Sequence, residues 1–219
     1  MATIYSATTD GYVYKYATDT WANVRDAGTG GSSSSTAHYY FRPIRTFHTS
    51  GRGGDTYFVG RSFFAFDTSG ISTAPSAATL RISGYYLGSA DVIAVKATKP
   101  DLSTGIANAD FDAITGFTAG ASMDGNVTDY SGEVTSWSTI AYNDITLNAT
   151  ALSDMASLSV FAVCLVEYDH DYLNSAPSGA DFSSGCWFTD EELTSKDPYI
   201  DYAAGVTVTD NATFFGANF

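Results

Sequence analysis

Positive charge is scarce in this chain: 10 Lys and Arg stand against 24 Asp and Glu, for a net charge of −14. That balance excludes nucleic acid as an expected partner, because holding phosphates requires a concentration of cations. Histidine is scarcer still, with only His38, His48 and His170, and the cysteines are just two, Cys164 and Cys186. No nucleophile elbow, glycine-rich phosphate loop or zinc-binding helix is present, so no enzyme activity is expected. Two distant cysteines make no metal-ligand motif. No apolar run approaches the ~20 residues a membrane-spanning helix needs, so no membrane association is expected. The opening MATIYSATTDG lacks the basic start and apolar stretch of an export signal, which predicts synthesis in a cytoplasm. In that compartment Cys164 in FAVCLV and Cys186 in SGCWF are expected to be free, buried thiols.

Aromatics, glycine and alternation are plentiful. The chain has 15 Tyr, 14 Phe and 20 Gly, with 44% hydrophobic and only 16% charged residues, a composition that suits many strands and turns and argues against disorder. From Tyr57 to Asp67 the side chains alternate with period two, and bulk on both faces predicts a strand covered on both sides. DTSGISTAPS then supplies turn residues, and Ala78 to Leu87 reads as a half-solvated antiparallel strand. Further strands are expected at 11–16, 92–98, Gly132–Trp137, Asp144–Leu147, Leu158–Glu167, Cys186–Thr189 and Tyr199–Ala203. A short helix is expected over ATALSDMAS, capped by Asn148 or Thr150. The two stretches between the early strands, residues 17–56 and 99–130, read as long irregular loops, a feature often tied to function. Roughly eight to ten strands at this spacing predict an all-β fold, a jelly-roll β-sandwich with long loops and a C-terminal extension. The expected division is a single domain over 1–204 and an arm over 205–219.

Charge is unevenly placed. Residues 1–99 hold 9 cations and 6 acids, whereas residues 100–219 hold Lys196 and 18 acids. A solubilising acidic surface is one consequence, and complementary contact between neighbouring copies is another. Within the acidic half, EYDHDYLN places Glu167, Asp169, Asp171 and Asn174 at near-alternate positions, oxygen donors of the kind calcium takes. Asp169, Asp171 and Asn174 are the candidate calcium ligands; MDGNVTD, with Asp124, Asn126 and Asp129, is a second acidic cluster, and solvated turns are the plainer reading of both. In HYYFRPIRTFHTSGR, Arg42, Arg45 and Arg52 alternate with Tyr39, Tyr40, Phe41 and Phe47, the composition of protein-interface hot spots and of anionic sugar sites. In the last fifteen residues, Phe214, Phe215 and Phe219 would be a liability in water, which makes them candidate assembly contacts.

The order RSFFAFDTSGI, SAATLRISGYY, ITLNATALSDM and a closing strand after SKDPYI resembles DNRLRE-type domains. These are jelly-roll modules similar to carbohydrate-binding modules, found on microbial surface proteins and as accessory proteins of tailed phages. The resemblance spans about residues 10–203 and is carried by Arg61-Ser62-Phe63, Phe66-Asp67 and Ala78-Thr79-Leu80-Arg81. It implies a non-enzymatic structural protein on the exterior of a tailed-phage virion, assembled in the host cytoplasm. Its expected partners are other virion proteins, namely capsid or tail subunits, and further copies of itself in a homo-oligomer. The alternative it implies is a carbohydrate-binding module recognising cell-surface glycans.

Overall fold

The computed structural model describes residues 1–35, 42–179, 181–189 and 194–205. Among them are eleven strands: β1 (Ala2–Tyr5), β2 (Gly11–Thr18), β3 (Ser32–Ser34), β4 (Ile44–Gly51), β5 (Gly54–Asp67), β6 (Ala77–Gly88), β7 (Val92–Lys96), β8 (Tyr142–Thr146), β9 (Val160–Glu167), β10 (Asp181–Cys186) and β11 (Tyr199–Ala203). Two α-helices accompany them, α1 (Trp21–Arg25) and α2 (Ala149–Ser157), with a single π turn at Tyr168–Tyr172. The fold is an all-β sandwich. Among the described residues, no helix is long and apolar enough to cross a membrane.

One layer runs β1, β11, β6, β8, antiparallel throughout. The other is organised around β5, whose 14 residues pair with β2 along one edge. Its opposite edge is shared, first by β4 over Gly54–Gly60 and then by β9 over Ser62–Asp67. β3 extends this layer beyond β2, and β7 extends it beyond β9. β10 pairs with both β4 and β6 and so joins the layers, with an irregular register at Ser184/Gly185. A side chain at Gly185 would collide with the Tyr85 carbonyl, so glycine is what lets the two backbones close there.

The alternation of β5 explains why its layer is covered twice. Phe64 and Phe66 face the other layer and pack with Leu80, Ile82, Ile145, Phe161 and Leu165. Tyr57, Val59 and Phe63 face the opposite way, into a second core with Val13, Val24, Val95, Phe111, Met123 and Cys164. Helix α1 and the irregular stretch over residues 97–131 roof that second core. The roof satisfies its backbone by bonding to the free edge of β7: Lys96 donates to the Thr128 carbonyl at 2.8 Å and accepts from Thr115 at 2.9 Å, and Tyr130 donates to Ala94 at 2.8 Å. Helix α2 starts where expected, with Asn148 Oδ1 accepting the Ala151 amide at 3.0 Å, and it buries Ala151 and Met155 in the first core.

Several boundaries differ from the sequence expectation. The stretch after β2 holds α1, β3 and β4, so it is largely regular. Ile44 and Thr46 are buried alternately with the half-buried Arg45 and Phe47, and this short pattern becomes a strand because β5 supplies the partner. Gly132–Trp137 is no strand; only Val134 bridges to Val92, and Trp137 instead donates from Nε1 to the Gly185 carbonyl at 2.9 Å. The strand expected at Cys186–Thr189 lies earlier, as β10. β1, with four mostly exposed residues, carries too little apolar pattern to be legible and is held by β11. Both cysteines are free and buried.

Candidate contact face

Strands β2, β5 and β4 lie side by side, and their register sets two rows of side chains across the layer. Tyr14, Gly60 and Arg45 form one row, and Tyr16, Phe58 and Phe47 form the next. Because Gly60 has no side chain, the Phe58 ring leans over it, within 3.0 Å of where a Cβ would stand. There it stacks on Tyr14, with centroids 5.0 Å apart and planes inclined by 12°. The Arg45 guanidinium lies 4.8 Å from the Phe58 centroid and 4.9 Å from that of Phe47. Tyr14, Tyr16, Arg45, Phe47 and Phe58 together line a shallow groove of about 340 Å³, at whose rim Tyr16 is 57% exposed.

Asp181, at the start of β10, orients the arginine. It accepts from Arg45 Nε at 2.9 Å and from Nη2 at 3.0 Å, a two-point grip that fixes the plane of the guanidinium. Arg42 Nη1 reaches the same carboxylate at 3.0 Å, and its guanidinium sits 5.9 Å from the ring of Tyr86. Burial pulls the Arg45 pKa down from its ordinary value, with Asp181 opposing and Arg42 adding to the depression. Tyr86 is held at φ 63°, a left-handed conformation costly for a bulky residue, and remains 45% exposed. The geometry thus offers flat ring surfaces beside a guanidinium whose Nη1 makes no hydrogen bond within the described chain.

Of the residues expected to form contacts, the structure brings Arg42 and Arg45 together on Asp181. It places Arg52 apart, exposed at the tip of the β4–β5 hairpin. Tyr39, Tyr40, Phe214, Phe215 and Phe219 lie outside the described residues, as do His38 and Phe41. No family model matches this chain, and no curated protein matches it either.

The acidic turn divides into separate roles. An alternating ligand set presumes an extended loop, but residues 168–172 wind into a π turn that sends successive side chains in different directions. Asp171 points into the second core, fully buried, where it accepts from Arg61 Nη2 at 2.7 Å and from Arg61 Nε at 2.8 Å. Arg25 Nε lies 3.3 Å from the same carboxylate. Glu167 caps the turn, accepting the amides of Asp169, His170 and Asp171 at 2.9–3.1 Å and the Thr46 hydroxyl at 3.0 Å. Burial nevertheless raises its pKa to about 7. Asn174 accepts from Trp21 Nε1 at 3.0 Å and donates to the Gly120 carbonyl at 3.1 Å. Asp171 and Asn174 are therefore engaged by the fold. Asp169 meets Asp91 and Glu133 instead, with carboxylate oxygens within 4.8 Å of one another. Burial and then these two neighbours raise the Glu133 pKa. In the second acidic cluster, Asp129 accepts from the Tyr172 hydroxyl at 2.9 Å and Asn126 donates to Ser122.

Sequence reasoning missed Asp181, Tyr14, Tyr16, Phe58 and Tyr86 as members of the contact face. The signal was present in GYVYKY, whose period of two sends Tyr14 and Tyr16 to one side. What it lacked was the neighbour: Phe47 and Arg45 reach that side only once β4 is seen to be a strand.

Proposed function

We propose that this protein is a non-enzymatic structural component on the exterior of a tailed-phage virion, as capsid decoration or cement or as part of a fibre or tail, and that it works through contacts with other proteins. The observation that carries this reading is the β2–β5–β4 face, where Arg45, pinned by Asp181, lies among Tyr16, Phe47 and Phe58. Arginine and aromatic side chains dominate binding energy at protein interfaces because they bury large areas at few rotatable bonds. A guanidinium already fixed by a carboxylate loses less freedom when a partner arrives. The pieces resembling DNRLRE-type domains support the phage setting, since accessory phage proteins are one home of that fold. Capture of the native protein from its own source, followed by mass spectrometry of what accompanies it, tests the reading. Capsid or tail subunits are the expected company; recovery without virion proteins contradicts it.

A second reading is favoured by the groove itself. Ring faces beside a guanidinium with unused donors suit a sugar, whose C–H face stacks on Tyr16 or Phe47 while an acidic or hydroxyl group meets Arg45. Binding on a glycan array that is lost in Tyr16→Ala and Arg45→Ala supports this carbohydrate-binding alternative. An array without binding removes it and leaves the protein-contact reading in place.

A further inference from the structure

The β4–β5 hairpin closes in a two-residue turn, Arg52-Gly53, between the paired Gly51 and Gly54. Beside this tip a cavity of about 430 Å³ opens, with Asp19, Trp21, Gly53, Asp55 and Tyr57 in its lining. The Asp19 amide donates to the Asp55 carbonyl at 3.1 Å, which draws the end of β2 against the start of β5 and sets the two acids on one rim. Hydrogen bonds from Asn23 and Thr20 lower the Asp19 pKa, and bonds from Ser50 and His48 lower that of Asp55. Trp21 and Tyr57 form the aromatic wall, with centroids 5.7 Å apart and planes inclined by 59°. Trp21 is fixed by its bond to Asn174, and Tyr57 by stacking on His48 at 4.7 Å. Two acidic residues and an indole in one lining make a receptor for a cation, since a guanidinium is attracted both by the charges and by the ring faces.

The cation that suits this cavity is on the same hairpin. Among the described residues, which include all ten cations, Arg52 is the one with no hydrogen bond, ion pair or ring contact. Arg25, Arg42, Arg45, Arg61, Arg81, Lys96 and Lys99 each pair with an aspartate, Lys196 lies over Trp187, and Lys15 reaches the Thr29 carbonyl. Arg52 is next in sequence to Gly53 of the lining and is not itself part of it. We infer that the hairpin tips of two copies dock about a two-fold axis, each inserting Arg52 between Asp19, Asp55 and Trp21 of the other. A two-fold contact requires one patch to carry both a group and its complement, and this tip carries both. The docking uses a different surface from the Arg45 face, so either can fail without the other. A contact confined to hairpin tips falls below the ~1,200 Å² of stable interfaces, which makes the pair reversible and concentration-dependent.

Sedimentation equilibrium of the full chain tests this by charge exchange. The parent's average mass should rise towards that of a dimer with concentration. Arg52→Glu alone and Asp19→Lys/Asp55→Lys alone should each remain monomeric. An equimolar mixture of the two variants should associate again, because each hairpin then meets a cavity of opposite sign. Salt is a poor substitute, since it screens both this contact and the general repulsion between acidic copies. General repulsion also predicts the reverse order, with the less negative cavity variant associating more than the parent. Melting curves establish that the variants are folded, and Asp55→Lys alone replaces the double variant if that one does not fold. A parent that stays monomeric at every concentration, or a mixture of variants that does not associate while the parent does, overturns the inference.

Discussion

Arg61 and Arg45 each grip an aspartate with Nε and Nη2 and each lie against two phenylalanine rings, but the surroundings of the two pairs are opposite. The Arg61–Asp171 pair is sealed, with both side chains at 0% exposure, beneath Phe111 at 4.3 Å and Phe117 at 4.7 Å. Its remaining donors are spent inside the protein, Nη1 on the Phe111 carbonyl at 2.8 Å and Nη2 on that of Arg25 at 3.0 Å. Burial lowers the Arg61 pKa, and Asp171 outweighs it, so the net shift is upward. The Arg45–Asp181 pair keeps 16% and 31% of its side chains in contact with solvent, and Arg45 Nη1 makes no hydrogen bond among the described residues. The same chemistry therefore fastens a roof to a sheet in one place and, on the function proposed above, serves a contact surface in the other. One difference is the irregular stretch over residues 97–131, which covers the side of the β5 layer that carries Arg61, whereas Arg45 lies on the opposite side.

The largest expected effect is at the sealed pair. Arg61→Ala should lower unfolding free energy by about 3–5 kcal/mol in urea titration, because it removes both hydrogen bonds that reach the buried Asp171 carboxylate from Arg61 and leaves only Arg25 beside it. A double change to Arg61→Met/Asp171→Leu should recover part of that loss, since the remaining buried cation, Arg25, keeps Asp26 at 2.6 Å as its partner; a double variant as unstable as the single would break the comparison. Next comes pH. Glu167, beside Asp171, has a folded pKa of about 7 against an ordinary 4.5. In the interval between those values the folded state holds a proton the unfolded chain has released, so its contribution is complete below pH 4.5 and fades as pH rises through 7. At 1.36 kcal/mol for each pH unit, the loss is on the order of 3 kcal/mol. Glu167→Gln should flatten the decline, whereas Asp181→Asn should leave it intact. Smaller again is Arg45→Ala, expected to cost about 1 kcal/mol or less as a partly exposed pair. Last, the thiols sharpen the boundary of the sealed region. Burial pushes Cys164 well up, with Arg61 opposing, and pushes Cys186 up to about 12. Both should resist a thiol reagent in native protein and both should titrate once it is denatured.

Much of the frame was legible because strands write their burial into the sequence with period two. Tyr57–Asp67 announced a strand covered on both faces, and Asn148 announced the start of α2. The rest depended on partners distant in the chain. β4 became visible only through β5, and Asp181 joins Arg45 across 136 residues. The acidic turn was misleading for a related reason: spacing alone does not separate an extended loop, which aims alternate side chains together, from a π turn, which disperses them. Asp171 therefore read as a surface ligand although its partner, Arg61, lay in a stretch already assigned to the core.

The central claim is that the Arg45 face makes contacts that the fold itself does not need. Under the proposed virion role, its most direct test is the number of copies of this chain on purified particles, counted by mass spectrometry, for the parent and for Tyr16→Ala/Arg45→Ala/Phe47→Ala, with melting temperatures recorded alongside. The account predicts a variant that remains folded and is lost from the particle. A folded variant present at the parental number of copies would contradict it.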